Sequence, residues 1–211
     1  MAYMVSTGVR FWCDLYRKYK YSAVALDIET ESYDGSIAVL SVSRLHGTGV
    51  TETIQLTKGQ DLSERAIADT LKAAKLLITF NGLNFDLPKL TSEYPESFSE
   101  DIPVLDLYIL AQAIGFKGGL KVLEKVLNVP RSTDASDATG HTHKLWKQFI
   151  SENDQQALQS LLDYAAADAS NLFKLADTLI EWAEAKLTVQ EKQQQAGVNL
   201  QNANWAFSFE G

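Results

Sequence analysis

Apolar and polar positions change period several times along the 211 residues. From residue 3 to 20, apolar and basic side chains interleave loosely at helical spacing and predict a first helix. Tyr21 to Ile28 alternates instead, with Val24, Leu26 and Ile28 on one face and Ala25, Asp27 and Glu29 on the other, as in a strand. A turn over 30–35 follows. Ile37–Leu45 and Val50–Leu56 are rich in β-branched residues and flank Gly47 and Gly49, the pattern of a hairpin. Asp61 is expected to cap a helix running to about Lys75, and Leu76–Phe80 is a short continuous apolar run that predicts a buried strand. A further helix is expected after Asp86, with Pro88 in its first turn. Val104–Leu107 reads as a last short strand, and helices are predicted over about 107–114, 119–127, 143–150 and 155–187.

Three strands in a row, then strands separated by helices, predict an α/β domain with a mixed sheet. The expected organisation is an N-terminal helix over 1–20, one domain over 21–187 and a polar tail over 188–211. That tail is rich in Gln and Asn and ends with Trp205, Phe207 and Phe209, which are expected to fold back on the domain. Asn128–Gly140 is the one long loop predicted inside the domain.

Composition narrows the class. Apolar residues at 45% and charged residues at 22% fit a globular chain and exclude a disordered one. No run of 18 apolar residues exists, and Arg10, Asp14, Arg17 and Lys18 interrupt the N-terminal hydrophobes, so neither a membrane span nor a secretory signal is expected. A single Cys13 cannot build a disulfide framework and indicates a reducing compartment. A soluble cytoplasmic protein is the expectation. The net charge of −8 argues against binding nucleic acid by bulk electrostatics. That objection lapses where some acids are metal ligands, because bound cations reverse the local sign. The segment Lys117–Lys147, with six basic residues against three acids, is also locally positive.

Three groups of residues carry chemistry. Asp27 and Glu29 are two apart on a strand, so both project from one face, where like charges destabilise unless a cation lies between them. A hard divalent metal answers that need, since carboxylate oxygens are its preferred ligands; the alternative is that both acids lie past the strand end in water. Asn81-Gly82-Leu83-Asn84-Phe85-Asp86 follows a buried strand directly, the place where α/β sheets put ligands. Asp86 also has the position of a helix cap. Asp168 falls on the apolar stripe Leu158, Leu161, Leu162, Ala165, Leu172, Leu175, Ala176, Leu179, with Tyr164 one turn before it on the same side. A carboxylate facing a core needs a metal, or else a partner Arg or backbone amide. The patterns D-x-E, N-x3-[FY]-D and Y-x3-D each occur once and in this order.

At these residues the chain resembles the DEDD superfamily of 3′–5′ exonucleases, on the ribonuclease-H-like fold. Asp27 and Glu29 look like its first motif, Asn81 with Phe85-Asp86 like its second, and Tyr164 with Asp168 like its third, in the form that marks the DEDDy branch. The run Asn84–Leu90 is similar to the proofreading domain of family B DNA polymerases and to stand-alone YprB-like domains. The resemblance spans about residues 21–182. It implies a five-stranded sheet with the first strand central, between strands 2 and 4. It also implies two divalent ions, Mg²⁺ or Mn²⁺, held by Asp27, Glu29, Asp86 and Asp168, with Tyr164 orienting the attacking water and Asn81 and Phe85 positioning the terminal nucleotide. The implied activity is hydrolysis of single-stranded or frayed nucleic acid from the 3′ end, releasing nucleoside 5′-monophosphates. The alternatives are a ribonuclease-H-type endonuclease and a non-catalytic nucleic-acid-binding subunit.

Other residues divide between bland and functional roles. Asp106 is placed to cap a helix, with a supporting function at the site as the second reading. His141 and His143 are expected in solvent. Lys117, Lys121, Lys125, Arg131, Lys144 and Lys147 could follow a nucleic-acid backbone with Trp146 as a stacking surface, or else form a solvated helix face with Trp146 in the core.

Overall fold

The computed structural model describes residues 8–47, 49, 51–99, 101–131 and 141–195. The chain runs α1 (Val9–Tyr19), a single 3-10 turn (Lys20–Ser22), β1 (Ala23–Thr30), β2 (Ile37–Leu45), β3 (Thr51–Thr57), α2 (Glu64–Leu71), β4 (Leu76–Thr79) and α3 (Asp86–Glu93). It continues through β5 (Val104–Asp106), α4 (Leu107–Ile114), α5 (Leu120–Val126), α6 (Thr142–Glu152) and α7 (Gln155–Gln195). The five strands form one sheet in the order β3-β2-β1-β4-β5, with β1 in the centre between β2 and β4, as the resemblance implies. β2 pairs antiparallel with both β1 and β3, whereas β1, β4 and β5 run parallel. A mixed α/β sheet is therefore what the chain forms.

The alternation read in β1 sorts its side chains between two cores. Val24, Leu26 and Ile28 face α2 and α3, packing with Ile67, Leu71, Leu87 and Leu90. Ala23 and Ala25 point to the other face, where α1, α4 and α7 bury Trp12, Tyr16, Leu107, Leu110, Leu172, Leu175 and Leu179. The small β1 side chains on that face leave room for α7 to cross the sheet closely. Because the period is two, Asp27 and Glu29 continue the Ala23–Ala25 face and point at α7.

Strand lengths set a notch at the end of the sheet. The β1–β4 ladder stops at Ala25–Ile78, while β1 runs on to Thr30. A register shift opposite Glu29 and Thr30 further re-aims the strand end. The carboxyl ends of β1, β4 and β5 thus converge on a gap that later elements fill.

Several boundaries differ from the sequence expectation, α2 ending at Leu71 rather than near Lys75 among them, and two of the differences have a visible cause. α2 begins at Glu64 with Ser63 as its cap, the Ser63 hydroxyl accepting from the Ala66 N–H at 3.3 Å. Asp61 instead turns back to accept from the Thr57 N–H at 2.7 Å, closing the turn after β3. α7 extends beyond residue 187 to Gln195, because α1 lies along it and pairs with its outer turns. Arg17 forks onto Glu184 at 2.9 and 2.7 Å, and Arg10 pairs with Glu191. Residues 196–211, with Trp205, Phe207 and Phe209, and residues 132–140 of the expected long loop lie outside the described residues. No helix among the described residues is long and apolar enough to cross a membrane.

Candidate metal centre

Three carboxylates meet in the notch. One oxygen each from Asp27, Glu29 and Asp168 lie within 4.8 Å of one another. Asp27 and Glu29 arrive from the α7-facing side of β1, and Asp168 from the apolar stripe of α7, where its residue is 6% exposed. The cost of placing such charges together appears in their proton affinities. Burial first, then the charges of Glu29 and Asp86, hold the Asp27 carboxyl well above the usual carboxylate range. Burial pushes Glu29 up to about 7, against a hydrogen bond from Thr142 and the positive charge of Lys121. Asp27 Oδ2 is sealed from solvent and has no hydrogen-bond partner.

Asp86 stands beside this trio. Phe85, not Asp86, occupies the cap position of α3 and makes no side-chain cap bond, so the cap role open to Asp86 in the sequence is not the one it takes. Its Oδ1 accepts from the Ile28 N–H at 3.0 Å, a backbone donor past the end of the β1–β4 ladder. Burial raises Asp86 to about 7, although this hydrogen bond works in the opposite direction.

The loop before Asp86 is fixed by Asp106, for which the sequence offers a helix cap first and a supporting role at the site second. Asp106 does cap α4, its Oδ1 accepting from the Tyr108 N–H at 3.0 Å. The same carboxylate also accepts from the N–H groups of Asn81 at 2.9 Å and Leu83 at 3.1 Å. Asn81 adopts a left-handed backbone at φ 61°, and its Oδ1 accepts from the Asn84 side chain at 2.8 Å. A Cβ on Gly82 would meet the Thr79 Cβ at 2.5 Å, so only glycine lets the loop fold this tightly over β4. Phe85 is 42% exposed at the end of the loop, its ring available to a ligand.

Tyr164 is buried one turn before Asp168, under two cations. Lys121 Nζ lies 4.5 Å and the Arg131 guanidinium carbon 5.5 Å from the centre of its ring. Both cations also pair with Asp168 Oδ1. Asp168 therefore has the basic partners expected of a structural buried acid and, at the same time, shares a cluster with Asp27 and Glu29. Burial and the neighbouring Arg131 lower Lys121 to about 8. In the sequence these two belonged to a basic stretch facing nucleic acid or water; here they face the acids.

α6 closes the side of the notch. Thr142 holds Glu29, His143 Nδ1 lies 3.0 Å from the Thr30 carbonyl, and the Trp146 indole donates to Glu31 at 3.3 Å. His143 is exposed as expected but tied to β1, and Trp146 is buried in the core, as the blander reading had it. Thr142, Glu124 and Asn171 carried no signal in the sequence, since a Thr in a polar stretch and an acid among lysines resemble solvated positions.

A five-stranded mixed sheet with a central first strand and carboxylates gathered at the carboxyl ends of its parallel strands defines the ribonuclease-H-like class of α/β proteins. Residues 24–180 match the model of the RNase_H superfamily, and the chain belongs to that superfamily. Among solved structures, the family B DNA polymerase from the hyperthermophilic archaeon Pyrobaculum calidifontis matches with a TM-score of 0.55 and 19% identity. That match covers 75% of this chain and 24% of the polymerase, so the chain spans about a quarter of that protein. The EXD2 exonuclease domain, in a crystal soaked in Mn and Mg, matches with a TM-score of 0.33 and 18% identity over 90% of this chain and 95% of that one. No curated protein matches the chain by sequence.

Proposed function

We propose that the protein is a metal-dependent 3′–5′ exonuclease of the DEDDy kind, acting on single-stranded or frayed nucleic acid ends. The observation that carries the reading is the convergence of Asp27, Glu29 and Asp168 at the sheet end, with Asp86 and Tyr164 beside them. The donor set fits divalent cations. All four acids offer oxygen, the preferred donor of Mg²⁺ and Mn²⁺, and Asp27 Oδ2 is a buried acceptor with nothing to accept from. Among the described residues, the cations paired at the cluster are Lys121 and Arg131, both on Asp168, and Arg131 is shared with Glu124, so the charge of the other acids is left to be balanced.

Asp27, Glu29, Asp86 and Asp168 would hold the metals. Bound there, divalent cations supply charge that stabilises the attacking and leaving oxygens of a phosphoryl displacement. The chain supplies the remaining requirements. Thr142 and the Ile28 N–H fix Glu29 and Asp86 so that their oxygens need little reorganisation. Tyr164 orients a water; a phenol, with an unperturbed pKa of about 10, is too weak a base to do more near neutral pH. Asn81 and Phe85 receive the terminal nucleotide on the loop braced by Asp106, Phe85 by stacking.

The test is an oligonucleotide labelled at its 5′ end, offered as matched DNA and RNA with Mg²⁺ or Mn²⁺. A ladder shortened from the 3′ end is expected, abolished in Asp27→Asn and Asp168→Asn while both stay folded by circular dichroism. Internal cuts would assign an endonuclease instead, and wild-type activity in either variant would refute the carboxylate site.

A further inference from the structure

Behind the acid cluster lies a second buried carboxylate that the proposed reaction does not use. Glu124, on α5, is 4% exposed. Its Oε2 accepts from Arg131 Nη1 at 2.8 Å and its Oε1 from Asn171 Nδ2 at 3.0 Å. The other end of the same guanidinium pairs with Asp168, and its carbon lies 5.5 Å from the centre of the Tyr164 ring. Lys121, three residues before Glu124 on α5, reaches the same Asp168 oxygen and the same ring. Burying a carboxylate costs several kcal/mol unless it is paired and hydrogen-bonded, and among the described residues the ion pair that Glu124 makes is with Arg131. Its effect is to aim one planar cation, from behind, at a metal-ligating oxygen. Asn171, one turn of α7 past Asp168, braces Glu124 and ties this aim to the helix that carries the ligand.

We propose that Lys121 and Arg131 form a counter-ion latch that occupies Asp168 when divalent cations are absent and must be displaced for them to bind, with Glu124 and Asn171 setting the position of Arg131. The inference rests on the metal reading above. Without the latch, Asp27, Glu29 and Asp168 would face one another with no cation paired to Asp168 among the described residues, and the metal-free fold would bear more of that repulsion. With it, the metal-free protein is stabilised and the intrinsic affinity for metal is spent in part on breaking two ion pairs. A cation arriving at Asp168 also repels the latch, and Glu124 gives the released guanidinium a partner to keep.

The experiment measures Mn²⁺ binding by the loss of the free-ion electron paramagnetic resonance signal, together with the thermal midpoint of the metal-free protein. Wild type is compared with Arg131→Met, Arg131→Lys, Lys121→Met and, as a control on the metal site, Asp27→Asn. Arg131→Met is expected to bind Mn²⁺ roughly tenfold more tightly, the factor one charge-assisted pair represents, while its metal-free midpoint falls. Arg131→Lys keeps the charge without the fork and should fall between. Lys121→Met should shift both readouts in the same directions, and it carries the test if Arg131→Met does not fold. Unchanged or weaker Mn²⁺ binding in both methionine variants would overturn the latch while leaving the metal site standing. Failure of wild type to bind, or binding by Asp27→Asn equal to wild type, would overturn the metal site itself and the latch with it.

Discussion

Single residues at this site act mostly by holding others. Asp106 accepts from three backbone N–H groups, two in the loop that carries Asn81 and one at the start of α4. Asp106→Asn keeps the shape but replaces one of two acceptor oxygens with a donor, leaving the Leu83 N–H facing another N–H. The expected loss is about 1–3 kcal/mol of stability, the cost of an unmade buried hydrogen bond, read from urea denaturation. On the proposed reaction, activity should fall through KM more than through kcat, because the loop would position nucleotide while the proposed metal ligands stay in place. Thr142→Val makes a complementary case. It removes the hydroxyl that favours ionised Glu29 while keeping the volume, so Glu29 should hold its proton to higher pH and Mn²⁺ binding at pH 7 should weaken several-fold. Binding unchanged by this substitution would show that the hydroxyl is incidental.

At the scale of elements, α1 and α7 behave as one unit. Tyr16 is fully buried between them, and its hydroxyl donates to Asp177 at 2.9 Å, where Lys20 also pairs at 2.6 Å. Tyr16→Phe should cost about 1 kcal/mol, since Lys20 still satisfies the carboxylate, whereas Tyr16→Ala should cost about 3–5 kcal/mol for the cavity. Chemical denaturation of the two variants separates the hydrogen bond from the packing. Much of this element structure was readable because local pattern decides it. The period-two alternation of β1 placed Asp27 and Glu29 on one face, and the stripe of α7 put Asp168 inward; neither depends on distant residues. What was not readable depends on the chain meeting itself. Lys121 and Arg131 look solvated in a basic stretch, and nothing local reveals that α5 will deliver Lys121, and the segment after it Arg131, onto Asp168. The start of α2 at Ser63 was missed because Asp61 and Ser63 are equally good caps, and the choice falls to the Thr57 N–H that only the folded turn presents.

The whole molecule carries the cost of the site as a dependence of stability on pH. Glu29 and Asp86 titrate near 7 in the fold and, in the unfolded chain, near their ordinary values of 4.5 and 3.8. Between those limits the folded protein binds more protons than the unfolded chain, so its stability falls as pH rises and the loss is complete above about 7. The metal-free protein should therefore melt at a higher temperature at pH 5.5 than at pH 8. Glu29→Gln with Asp86→Asn removes these two raised groups and should reduce that difference, leaving the part that burial of Asp27 and Asp106 contributes. Mn²⁺ held as proposed would act in the opposite sense: it would bind the ionised carboxylates, so its stabilisation should be larger at pH 8 than at pH 5.5. Thermal melts at the two pH values, with and without Mn²⁺, check both directions at once. A metal-free protein more stable at pH 8 would mean that these carboxylates are ionised at little cost, and the negative charge argued to require cations would already be balanced within the chain.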